Sequence, residues 1–304
     1  MQGAMPNIRK QKVHYRIAGL ILEIVFPVGL KRKEILPTFE SFLVEPTDVL
    51  ETICRMELQL GSSLQVQMEN KLLSDHSLVW GDRFCFYQQN DGYVTTIQSQ
   101  FNKEVWMMKS SNDFRESSIY LLNEESSYAQ IISWLVMMAF GQACLWHRTV
   151  LIHASVVACN GKAYGFLGAS GTGKSTHSRL WLQHIEGATL INDDNPAIRI
   201  EQDDKVYVYG TPWSGKTPCY KNIKVQMHAF VRLKQAPYNK FTKQSGMQAF
   251  IGLLPSCTAL RWNKELFSQM NTTIQSVVQS VVVGELDCLP DKQSAMLCYQ
   301  SVTN

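Results

Sequence analysis

Residues Gly168–Thr176 read GASGTGKST. They fit the phosphate-loop pattern G-x-x-x-x-G-K-[ST], with Gly168, Gly173, Lys174 and Ser175 at the fixed places. The spacing has a chemical reason. Glycines let the backbone turn tightly, so that several N–H groups point at one anion. A helix beginning at the loop adds the positive end of its dipole. On this reading Gly168, Ala169, Ser170, Gly171, Thr172, Gly173, Lys174, Ser175 and Thr176 all lie against a nucleotide. Lys174 reaches the β- and γ-phosphates and the Ser175 hydroxyl holds Mg²⁺, so ATP and Mg²⁺ are the expected cofactors. The plainer alternative is a glycine-rich strand-to-helix turn with an exposed lysine.

Upstream, TVLIHASVVACNGKAYGFLGASG (149–171) is two β-runs joined at Asn160-Gly161, a strong hairpin signal. The strand feeding the loop is then the second arm of a hairpin. In Ras-like or RecA-like proteins that strand belongs to a parallel βαβ unit, which a two-residue turn cannot make. A motor or transport ATPase is disfavoured for the same reason, and the sheet is expected to be mixed.

Downstream, THSRLWLQHIE (176–186) reads as a helix stopped by Gly187. ATLINDD (188–194) is a short strand running into Asp193 and Asp194. Carboxylates at a strand end close to a phosphate loop stand where a Mg²⁺ ligand is needed; the alternative is a surface turn. AIRIEQDDKVYVYG (197–210) is a second hairpin, turning at Gln202–Asp204. The loop GTPWSGKTPCYKN (210–222) carries Trp213, Ser214, Lys216, Tyr220 and Lys221, and could close over a phosphate or an acceptor. A strand (225–235), helical stretches (243–254, 258–279), a strand (281–290) and an amphipathic helix (291–302) complete the chain.

The earlier part, from about His14 to Leu122, is β-rich: HYRIAGLILEIVFP, LETICRMELQL, DRFCFYQQNDGYVTTIQ with a turn at Asn90–Gly92, KEVWMMK and SSIYLL. No helical pattern alternates with these runs, which predicts an antiparallel sheet or small sandwich. His14 and His76 read as surface or packed residues. Ser126 or Ser127 can cap a helix running to about His147, whose apolar run falls short of the ~20 residues of a membrane span. The polar stretch NEESS (123–127) marks the expected boundary: a β-rich domain, 1–125, then a nucleotide-binding, kinase-like domain, 126–304.

The 304 residues are 45% hydrophobic, which suits a chain with a large core, and the net charge of +3 gives no reason to expect nucleic acid or a membrane surface as partner. Eight cysteines without a C-x-x-C pair favour reduced thiols in the cytoplasm. The first residues, MQGAMPNIRKQK, lack the apolar segment of a signal peptide and read as a frayed start.

The combination of a hairpin, LIHAS, GASGTGKS and Asp-Asp resembles the HPr kinase/phosphorylase and phosphoenolpyruvate carboxykinase fold over about residues 127–304. The resemblance implies an α/β (α+β) domain whose mixed sheet contains the hairpin. It implies Asp193 as a Mg²⁺ ligand with Ser175, Asp194 as the base on an acceptor hydroxyl, and His153 beside that base. Lys216 could touch the γ-phosphate. Thr176 stands where HPr kinases carry an acidic residue, and their R-G-x-G-I segment has no counterpart. Both departures point away from HPr as substrate. The extra metal ligands and arginines of the carboxykinases are not found, which disfavours decarboxylation.

The leading expectation is a Mg²⁺- and ATP-dependent phosphotransferase acting on a hydroxyl of a small molecule or a protein serine. The alternatives are a nucleotide-binding regulatory module without turnover and a carboxykinase-like enzyme. The acceptor, the phosphoryl donor and the oligomeric state, a homo-oligomer included, stay open.

Overall fold

The computed structural model describes residues 10–45, 51–60, 71–77, 83–98, 105–121, 129–215 and 217–303. Residues 1–9 of the frayed start, the caps Ser126 and Ser127, and Lys216 lie outside these residues; Lys10, Gln11 and Lys12, read as part of that start, instead begin a β-strand. The chain divides into two compact units, Met1–Ala143 and Cys144–Asn304. Both are built on a mixed sheet, so the architecture is α+β.

The N-terminal unit contains β1 (Lys10–Ile17), β2 (Leu20–Pro27), the short helix α1 (Arg32–Ile35), β3 (Leu43–Val44), β4 (Thr52–Leu60), β5 (Lys71–Ser77), β6 (Arg83–Gln89), β7 (Gly92–Gln98), β8 (Val105–Ser110), β9 (Glu116–Leu121) and α2 (Ala129–Ala143). The strands form one sheet in the order β3-β1-β2-β4-β9-β8-β7-β6-β5. His14–Pro27 is not one run but a hairpin, turning at Ala18 and Gly19 with φ of 53° and 74°. His14 pairs with Glu23 at 3.1 Å.

The expected antiparallel sheet or sandwich is corrected: β4 runs parallel to both β2 and β9. Among its described residues the β2-to-β4 crossover carries a four-residue helix, a 3₁₀ turn and the two-residue β3, with no helix long enough to show a helical period. β4 reaches β9 only after the β5–β8 meander has been laid down beyond it. Helix α2 contacts β4, β8 and β9. Ile132, Leu135, Val136, Ala139 and Phe140 on it are buried. Among the described residues Ala129–His147 is the one helix long and apolar enough to cross a membrane, and 61% of its apolar window is buried inside the protein. The compact units divide after α2, later than the boundary expected at 125/126.

The C-terminal unit contains β10 (Thr149–Leu151), β11 (Ala154–Cys159), β12 (Lys162–Leu167), α3 (Lys174–His184), β13 (Thr189–Asn192), β14 (Ala197–Ile200), β15 (Val206–Tyr209), β16 (Lys224–Gln235), β17 (Lys240–Gln244), α4 (Gly246–Leu253), α5 (Lys264–Ser280), β18 (Val282–Cys288) and α6 (Lys292–Thr303). The expected hairpin is present: Cys159 faces Lys162 across Asn160 and Gly161, whose φ values are 52° and 73°. Both central residues are left-handed, as a two-residue hairpin turn with the right twist requires. β12 is antiparallel to β11 but parallel to β16, which is parallel to β18. The sheet is therefore mixed around the loop.

Alternation along β16 sorts its side chains to two faces. Ala229, Val231 and Leu233 join Phe166, Trp181, Leu286, Ala295, Cys298 and Val302 in one apolar cluster, which α3 and α6 cover. Arg232 goes the other way and donates to Gly252 O at the end of α4, at 2.9 and 2.6 Å. Burial of the large apolar groups among these, each contributing about 1.5–3 kcal/mol, holds the end of β12 from which the loop leaves.

Candidate functional site

Strand register brings the site together. Leu167 of β12 faces Ala154 of β11 on one side and Arg232 of β16 on the other. Ala154 N–H donates to Asp194 O at 2.9 Å, which continues the row beyond β13. One level of the sheet thus carries Arg232, the start of the glycine loop, His153 and Asp194.

The loop conformation is one that glycine permits. Gly168, Gly171 and Gly173 have φ of 152°, 83° and 100°. A Cβ on Gly168 would lie 2.4 Å from Thr172 Oγ1, so this position needs glycine for space as well. Thr172 closes the turn by donating its N–H and its hydroxyl to Ala169 O, at 3.2 and 2.8 Å. The Lys174 ammonium is folded into the loop and donates to Gly168 O at 2.9 Å and Ala169 O at 3.3 Å. Burial lowers its pKa, Asp194 and Asp193 oppose that, and Arg232 adds to it. Gln235 Nε2 braces the loop from β16, donating to Gly171 O at 3.2 Å.

Asp193 is buried. Its Oδ1 accepts from Ser155 Oγ at 2.6 Å, and Ser155 Oγ lies 2.6 Å from Ser178 Oγ. A hydroxyl has one proton, so Ser155 gives its own to the carboxylate and receives that of Ser178. Among the described residues Asp193 Oδ2 is buried with no hydrogen-bond partner. A buried carboxylate oxygen left unpaired is costly, and a hard cation is one group that would satisfy it. No group of three or more His, Cys, Asp or Glu among the described residues could hold a metal by itself. Mg²⁺ asks for less: one or two protein oxygens, with water and phosphate completing its shell. The bare Asp193 Oδ2 is a hard oxygen of the kind that ion takes.

Asp194 lies half-exposed, its Oδ1 3.4 Å from His153 Nε2. Burial raises the Asp194 pKa, against the opposing charges of His153 and Lys174. Burial lowers that of His153, helped by Lys174 and opposed by Asp194.

The loop after β15 folds over this pair. Gly215 packs so closely that a Cβ would lie 2.8 Å from Asp193 O and 3.3 Å from Asp194 Cβ. Asn192 pins the loop there. Its Nδ2 donates to Trp213 O at 3.1 Å, and its Oδ1 accepts from the N–H groups of Asp194 and Asn195 at 2.9 and 3.1 Å.

The structure thus brings His153, Lys174, Asp193 and Asp194 to one sheet edge with the loop, and places Ser175 and Thr176 in the first turn of α3. Ser155, Ser178, Asn192, Arg232 and Gln235 were not anticipated. Ser155 lies in the LIHAS stretch that drew attention to His153, and an asparagine ahead of a strand-end turn is a hydrogen-bonding signal in its own right. Arg232 and Gln235 carry none; only the register reveals them. Beside the loop, a cavity of about 610 Å³ lies against α3 and the ends of β16 and β18.

No protein-family model matches the chain. No curated protein matches it. Among solved structures it is similar to the Hpr(Ser) kinase/phosphatase from Coxiella burnetii, at a TM-score of 0.30 and 12% identity, over 51% of this chain and 88% of that one. A likeness at that level carries no argument about activity.

Proposed function

We propose that the C-terminal unit is a Mg²⁺- and ATP-dependent phosphotransferase acting on a hydroxyl of a small molecule or a protein serine. The observation that carries this reading is the buried Oδ2 of Asp193, without a partner among the described residues, close to a glycine loop that holds a lysine ammonium. The loop N–H groups and Lys174 bind the polyphosphate and set its orientation. Ser175 and Asp193 hold the metal, which supplies charge neutralisation at the phosphoryl oxygens. Asp194 accepts the proton of the attacking hydroxyl, with His153 holding its carboxylate in place. A new oxygen–phosphorus bond forms as the bridging bond to ADP breaks. Positioning and charge neutralisation are most of what this reaction asks of a protein.

The test is transfer from γ-labelled ATP with Mg²⁺ to a panel of hydroxyl metabolites and to purified HPr. We expect Lys174→Ala to lose nucleotide binding and turnover together. Asp194→Asn is expected to bind ATP within about twofold of wild type and to transfer at least 10²-fold more slowly. Equal turnover in wild type and Asp194→Asn removes the base from the scheme. A second reading has its own observation: Lys174 donates to two of the loop's carbonyls, an arrangement that suits a binding module equally well. Tight nucleotide binding with no transfer to any acceptor selects it.

A further inference from the structure

The cavity beside the loop differs from the loop in chemistry. Thr176, His177, Leu180, Leu233, Pro237 and Leu289 are among its lining residues, and among the described residues no lysine, arginine or carboxylate lines it. Its volume, about 610 Å³, is that of a small-molecule site. It opens where β16 and β18 end, tied together by Ala236 N–H to Cys288 O at 3.2 Å, and it touches Gly171 and Gly173 directly. A ligand held by the loop therefore has an apolar slot next to it, without charge to attract more phosphate.

Thr172, Thr176, Gln235 and His177 are the polar side chains in that wall, and His177 is the one whose ring tautomer its neighbours fix. The indole N–H of Trp181 donates to its Nε2 at 3.2 Å. Indole nitrogen only donates, so Nε2 carries the lone pair and the neutral ring carries its proton on Nδ1. Phe166 packs edge-on against the ring, 4.7 Å between centroids. Nδ1 has no hydrogen-bond partner among the described residues.

We propose that this cavity seats the planar heterocycle of a nucleoside triphosphate, with His177 Nδ1–H donating to a ring acceptor, so that the phosphoryl donor is a nucleotide and not an inorganic polyphosphate. The proposal rests on the polyphosphate reading of the loop given above. A free polyphosphate has no apolar surface to bury here, whereas a stacked base has a great deal.

Calorimetry on the full chain separates the two readings, with Mg-ATP and Mg-tripolyphosphate as the probes. Wild type is expected to bind ATP at least about tenfold tighter than tripolyphosphate. Leu289→Trp fills the slot from its half-exposed rim without adding charge. It should weaken ATP about tenfold and leave tripolyphosphate within about twofold. His177→Phe keeps the ring and loses the donor, and should weaken ATP about fivefold with tripolyphosphate unchanged. If His177→Phe fails to melt cooperatively, Leu289→Trp decides alone. Equal affinity of wild type for the two probes, or equal loss of both in Leu289→Trp, overturns the base seat. Heat from neither probe overturns the loop reading beneath it, and the seat with it.

Discussion

Asp193 and Asp194 are adjacent in sequence and opposite in surroundings. Asp193 is buried and held by Ser155; Asp194 is half-exposed and paired with His153. A carboxylate fixed on one oxygen and bare on the other suits a metal ligand, and one at a cleft edge suits a base. Ser155 acts through Asp193, so its loss should be read in the metal. Ser155→Ala is expected to raise the Mg²⁺ concentration for half-maximal turnover roughly tenfold, with the ATP requirement little changed, as hydrogen-bond partners of metal ligands usually do. An unchanged Mg²⁺ requirement shows that Ser155 is only packed there. Asp194 makes a second, pH-based prediction. Its folded-state pKa is raised by burial, so the ionised form is disfavoured by folding. The penalty is absent below the ordinary carboxylate value, about 4, grows as pH rises through the raised pKa, and is complete above it. Asp194→Asn removes the penalty while abolishing transfer. In the metal-free protein it should raise the melting temperature by about 1–2 °C at pH 8, with the gain vanishing near pH 4. A lower melting temperature at pH 8 means that the His153 pair outweighs burial.

The loop after β15 is positioned by contact rather than by secondary structure. Gly215 is glycine because Asp193 O and Asp194 Cβ leave no room for a methyl group, not because of its φ. Gly215→Ala must shift either the loop or the aspartates by several tenths of an ångström. Transfer is expected to fall about ten- to hundredfold, since small misplacements at a reacting centre are costly, while the ATP affinity stays within about twofold. Loss of affinity without loss of rate places this loop on the nucleotide instead. The same element shows what the sequence displays and what it hides. The glycines of GTPWSGK mark a loop, but their partner, Asn192, lies earlier in the chain, and nothing in the pattern joins the two. The Asn160-Gly161 hairpin was legible because both residues accept left-handed backbone. The Ala18-Gly19 turn was not, because alanine rarely does, and the flanking residues read as one apolar run.

At the scale of the chain, local signals located the loop, the aspartates and the histidine, while their meeting depends on pairings no local signal encodes. The parallel β12–β16 and β16–β18 pairs join segments far apart in sequence, and so do β2–β4 and β4–β9 in the other unit. Yet every candidate residue, from His153 to Lys216, lies within the compact unit Cys144–Asn304, which has its own sheet and its own apolar cluster. A domain on the order of 150 residues buries enough surface to fold alone. We therefore expect a fragment of residues 144–304 to melt in one cooperative transition and to bind Mg-ATP within about threefold of the full chain. Calorimetry and a circular-dichroism melt on both proteins measure this directly. A fragment that melts cooperatively but loses ATP would require a ligand contact from the N-terminal unit, and the site as assigned would then be incomplete. A fragment with no cooperative transition would show that residues 1–143 stabilise the fold itself, so that substitutions there lower activity by unfolding the site rather than by touching it.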